Sequence, residues 1–127
     1  MDDFHKTGQK TRRTVLGDEH VDRSENTQTE FNQPFHEFIT EGAWGRVWSG
    51  DAISKRERSM ITIALLAALG HDEELAMHIR ASRNTGASES DIREALMHVA
   101  VYAGVPAANR AFRIAMETLG ATKEQEL

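Results

Sequence analysis

Ten residues in the middle of the chain, Met60 to Leu69, read Met-Ile-Thr-Ile-Ala-Leu-Leu-Ala-Ala-Leu and contain one polar side chain, Thr62. Ahead of them, Ser54-Lys55-Arg56-Glu57 has the spacing of a capping box, in which the Ser and Glu side chains satisfy free N–H groups of a first helical turn. Gly70 follows directly and offers a left-handed stop. The spacing predicts a helix over this stretch that is apolar almost all round. Such a helix belongs at the centre of a domain or in a subunit interface. At ten residues it is far shorter than the roughly 20 that cross a bilayer. The polar start, Met1 to Arg13, has no apolar core of the kind a secretory leader carries. The chain therefore reads as soluble and cytoplasmic, with no membrane partner.

The same punctuation repeats downstream. Asp72 is a candidate N-cap with Glu73 and Glu74 near the positive end of the helix dipole, and Gly86 is the expected stop. Ser88-Glu89-Ser90-Asp91 is a second cap signature. Ile92, Ala95, Leu96, Val99 and Ala103 then form a stripe at helical spacing that ends at Gly104. Pro106 suits the first turn of a last helix, expected to run to Gly120. The first half is less regular. A short helix is expected over Thr11 to Leu16, stopping at Gly17, and another over Glu30 to Ile39, capped by Thr27 or Thr29, with Pro34 disturbing its start. Gly42 to Trp48, with both tryptophans, reads as a loop. The first ten residues and the tail from Ala121 are expected to be mobile. The 127 residues fit one all-α domain, a bundle of about six helices.

A chain without cysteine has no disulfide, thiolate metal site or thiol chemistry. A net charge of -5 points away from nucleic acid, while leaving room for a local arginine cluster that binds a small anion. The densest set of functional side chains is His71 to Gly86. Glu74 and His78 are one turn apart, and His71 would join them if the helix began early enough. Three readings compete: a solvated face with Glu74 and His78 paired, a metal site of two His and one Glu, or an acid/base and anion site. In the third, His78 moves a proton, Glu74 tunes it, and Arg80, Arg83 and Asn84 bind substrate. His98, Trp44 and Tyr102 are further candidates, with Trp44 roofing a pocket and Tyr102 turned into a helix-end cleft.

The runs His78-Ile79-Arg80-Ala81-Ser82-Arg83-Asn84-Thr85-Gly86 and Leu96 to Asn109 resemble the signatures of 4-carboxymuconolactone decarboxylases. Arg12 to Gly17 and Trp44-Gly45-Arg46-Val47-Trp48 match in kind, so the resemblance extends from about Lys10 to about Leu119. The wider superfamily includes the alkylhydroperoxidase D proteins, but their redox CxxC reads here as His71 and Glu74, which removes disulfide chemistry. The resemblance implies an alkylhydroperoxidase D-like fold and a homo-oligomer, commonly a hexamer built as a trimer of dimers. It also implies cofactor-free decarboxylation of a small anionic lactone in protocatechuate breakdown, the β-ketoadipate route. Alternatives are a related decarboxylase or isomerase on another lactone, or a non-catalytic helical oligomer that binds a small acid.

Overall fold

The computed structural model describes residues 3–126, with side chains to residue 122. Among them are seven α-helices, one π-helix and no strand. The helices are α1 (Phe4–Leu16), α2 (Asp18–Asn26), α3 (Gln33–Ile39), a π-helix (Thr40–Trp48), α4 (Lys55–Leu69), α5 (Asp72–Thr85), α6 (Glu89–Tyr102) and α7 (Val105–Glu126). The chain divides into two compact units between Ser54 and Lys55.

In the first unit α1 packs along the π-helix. The approach is backbone to backbone: a Cβ on Gly8 would overlap the Thr40 carbonyl, and one on Gly45 would overlap that of Phe4. Trp44 and Trp48 are buried and stacked, 5.2 Å between rings. Ser49 Oγ donates to the Trp44 carbonyl at 2.6 Å. The segment expected as a loop is therefore helical, and its Gly45 serves close packing rather than a turn. Arg13 ties α1 to α2 through Asp18, Asp22 and Glu25 at 3.0, 2.9 and 3.3 Å. Three further expectations are corrected here. The first helix begins at Phe4, so most of the first ten residues are helical. The α2 helix, Asp18–Asn26, corresponds to no expected element. The α3 helix starts at Gln33 with Asn32 at its cap and Pro34 in its first turn, rather than at Glu30 under Thr27 or Thr29.

In the second unit the expected elements appear with nearly the expected bounds. Gly70, Gly86 and Gly104 all have positive φ and end α4, α5 and α6. The Ser88 box is complete: Asp91 N–H donates to Ser88 Oγ at 3.0 Å, and Ser88 N–H to Asp91 Oδ2 at 2.9 Å. Arg56 binds the same Asp91 carboxylate at 2.8 and 2.6 Å, joining α4 to α6. The core is Ile63 and Ala67 of α4, Leu75 and Ile79 of α5, Ile92, Leu96 and Val99 of α6, and Ala108, Ala111 and Ala115 of α7. Two boundaries differ. His71, not Asp72, is the N-cap of α5, and it makes no side-chain cap bond. Helix α7 runs through Gly120 to Glu126, because that glycine keeps a negative φ. Ala103 is exposed, so the stripe of α6 closes at Val99.

Candidate active site

Helix α5 carries most of the candidate residues, and its exposure pattern sorts them. Leu75, His78, Ile79, Ala81, Ser82 and Thr85 form the buried face. His78 is only 7% exposed, an unusual position for a titratable ring and one that shields any proton it carries from bulk water. The turn below it is held by local bonds. Ser82 Oγ donates to the Ile79 carbonyl at 2.6 Å, Thr85 Oγ1 to the Ser82 carbonyl at 3.2 Å, and Gly86 N–H to the same carbonyl at 3.0 Å. At the other end, Arg110 of α7 clamps Asp72 with Nε at 3.0 and 2.9 Å from the two carboxylate oxygens. That guanidinium holds the Asp72 carboxyl below the usual range. Both ends of the helix bearing His78 are thus tied down.

Glu74 stands one turn before His78 and is exposed. At 100° per residue it lies about 40° around the helix from His78, so the two share a side of α5. His71 is exposed and precedes the helix with φ -89 and ψ 81, off the shared face. Among the described residues no three His, Cys, Asp or Glu side chains converge to hold a metal ion.

Arg80 and Arg83 do come together. With Ile79, Ser82 and Glu89 they line a cavity of about 180 Å³. Both are exposed, however, and helical spacing puts Arg80 about 160° and Arg83 about 140° around α5 from His78. One substrate cannot sit on His78 and on Arg80 of the same chain without wrapping the helix. Asn84 is exposed on the outer side of the last turn. His98 and Tyr102 stack on α6 with rings 6.1 Å apart. Tyr102 is 85% exposed, so on this chain it faces open solvent rather than a cleft. Trp44 is buried in the first unit.

Two features were not anticipated. The first unit has a cavity of about 210 Å³ lined by polar groups, among them His5, Arg12, Glu25 and His36. Burial pulls the Arg12 guanidinium below its ordinary value, against an opposing pull from Glu25. The second feature is on α4, where Arg58 Nε and Ser59 Oγ are both buried with no hydrogen-bond partner. Sequence spacing gives no sign of either, since partner satisfaction is a property of the folded neighbourhood.

The model of the carboxymuconolactone decarboxylase family matches residues 33–117. A 4-carboxymuconolactone decarboxylase of Acinetobacter baylyi is 44% identical over 113 residues, covering 89% of this chain and 84% of that protein. A nitrosuccinic acid decarboxylase of Metarhizium robertsii is 37% identical over 122 residues, 93% of this chain and 85% of that one.

Proposed function

Because the chain belongs to the carboxymuconolactone decarboxylase family, we propose that it converts 4-carboxymuconolactone to 3-oxoadipate enol-lactone in protocatechuate breakdown. The observation that carries this reading is the 44% identity, over most of both chains, to a protein of that name. The chemistry needs little from outside the substrate. When the bond to the ring carboxylate breaks, carbon dioxide leaves and the electron pair passes into the conjugated lactone carbonyl as an oxyfuran-like enolate. The lactone is its own electron sink, so the proposed reaction draws on no cofactor. A proton must then be added at ring carbon to give the product.

We assign that proton to His78, whose burial on the inner face of α5 supports the role, with Glu74 one turn before it as the proposed orienting partner. A donor to the enolate oxygen is the other requirement, for which His78 itself and Asn84 are candidates. Arg80 and Arg83 keep a carboxylate-binding role only for a group that reaches their own cavity. Trp44, His98 and Tyr102 remain candidates for substrate contacts in the assembled protein.

The assembly we propose is a homo-oligomer in the cytoplasm, a hexamer by resemblance. Ile61, Leu65 and Leu69, at successive i+4 positions of α4, are 52%, 56% and 67% exposed on the single chain. They face away from the core residues Ile63 and Ala67, so half of the apolar helix is left for a second copy to cover. Among the described residues no helix is long and apolar enough to cross a membrane.

The test is a spectrophotometric assay on freshly generated 4-carboxymuconolactone, with and without EDTA. Rapid turnover that EDTA leaves unchanged is expected, and His78→Ala should lower kcat by about 10²–10⁴. A folded, assembled His78→Ala enzyme with normal turnover removes the assignment. A second reading, a decarboxylase of another small acid, is favoured by the 37% relative named for nitrosuccinic acid. Turnover of nitrosuccinic acid and none of the lactone would decide for it.

A further inference from the structure

Among the described residues three arginines are partly buried, and two of them have acceptors. Arg12 donates to Ser24 Oγ at 2.9 Å, and Arg13 serves three carboxylates. Arg56, two residues before the third, is taken up by Asp91. Arg58 is half-buried, and its Nε is shut off from solvent with no acceptor. The next residue, Ser59, is 0% exposed, and its Oγ has no partner either. The two orphaned donors belong to adjacent residues of α4, about 100° apart around the helix. Buried donors without acceptors are rare in folded proteins because burial removes their water and returns nothing. A guanidinium and a hydroxyl together ask for an oxyanion, and the planar fork of arginine suits a carboxylate.

Their place along α4 relates them to His78. Gly70 and His71 form a two-residue link between α4 and α5, short enough to send the second helix back antiparallel, and the two helices pack together. At 1.5 Å per residue Ser59 stands about 16 Å from that link and His78 about 10 Å, so they occupy neighbouring levels. Ser59 also continues, one turn earlier, the inward row of Ile63 and Ala67. Arg80 sits on the far side of α5 and cannot serve this place.

We propose that Arg58 and Ser59 bind a carboxylate of the substrate, the guanidinium holding it and the Ser59 hydroxyl donating a further hydrogen bond. The proposal rests on the decarboxylase reading for its substrate, but not for the existence of an anion site. Arg58 binds and orients, and takes no part in moving the proton.

The experiment combines lactone kinetics with a binding readout that needs no turnover: thermal stabilisation of the whole oligomer by succinate, a four-carbon dicarboxylate. The wild-type protein should show a saturable rise in Tm. Arg58→Gln should weaken that response and raise KM by about 10- to 100-fold, with kcat changed far less. Arg58→Lys, which keeps the charge and loses the fork, should fall between. Ser59→Ala removes an unsatisfied buried hydroxyl, so its ligand-free Tm should match or exceed wild type while succinate binds more weakly. A merely structural Ser59 would give the opposite. If KM and the succinate response of Arg58→Gln and Ser59→Ala both stay within twofold of wild type, the site is overturned. If the lactone is not turned over but succinate binding depends on Arg58, the site stands and the decarboxylase reading falls.

Discussion

Replacing Gly8 by alanine should destabilise a helix that alanine would ordinarily strengthen. Gly8 lies inside α1, where alanine gains about 1 kcal/mol over glycine if nothing else changes. Here the added methyl would overlap the Thr40 carbonyl and come within 2.9 Å of the Gly45 nitrogen. Both are backbone atoms, so no side chain can swing aside. The two helices must separate, loosening the contact that also holds the Trp44 and Trp48 pair. Overpacking of this kind costs about 1–3 kcal/mol, and the rigid neighbours place it near the upper end. Less the propensity gain, a net loss of about 1–2 kcal/mol is expected, or roughly 3–10 °C in Tm. Gly120→Ala is the matched control: it too lies inside a helix, its Cβ would meet nothing within 4 Å, and it should stabilise by about 0.5–1 kcal/mol. Urea titrations followed by circular dichroism measure both. Tryptophan emission isolates the first, because both tryptophans lie in the first unit. A Gly8→Ala protein as stable as wild type would refute the close-approach argument.

Asp91 should govern part of the acid limb of stability. Arg56, then the Ser88 N–H, hold its carboxyl far below the ordinary 3.8, so the folded state favours the charged form. That contribution is complete above pH 3.8 and is lost as pH falls below it, and Asp91→Asn should flatten the stability profile there; parallel profiles would show no linkage. Leu96, fully buried in the second unit, should cost about 2–5 kcal/mol on replacement by alanine, read by urea midpoint. Leu65→Glu should reduce the mass measured by light scattering without unfolding the chain, since Leu65 is exposed on the single chain; an unchanged mass would move the interface elsewhere.

The second unit was legible because its signals are local. A capping box and a left-handed glycine each act within one turn, so Ser88 with Asp91, Gly70 and Gly86 mark their boundaries whatever packs above them. Gly120 was misleading for the same reason. A glycine permits a stop but does not impose one, and the residues after it keep the helix going. The glycines of the π-helix misled more seriously. Gly45 looks like a loop signal, yet it is there so that the Phe4 carbonyl can approach, a fact about another helix forty residues away in sequence. Phe31, Phe35 and Phe38 have helical spacing, but all three are exposed on this chain, and Phe31 lies before the helix begins.

The candidate site divides along the same line. Helical spacing put Glu74 and His78 about 40° apart on α5, and the exposure pattern then distinguishes them, with Glu74 exposed and His78 buried. The same spacing already put Arg80 about 160° around the helix from His78, although a dense run of polar residues reads as one cluster until its angles are counted. What sequence could not express is the difference between Arg56 and Arg58. They are two residues apart, of one type and in one helix, yet one meets Asp91 and the other buries an Nε that has no acceptor. A paired arginine contributes to the fold, whereas a half-buried one without an acceptor adds cost until an anion arrives. The second kind is therefore the better pointer to a ligand, and it becomes visible only in the folded neighbourhood.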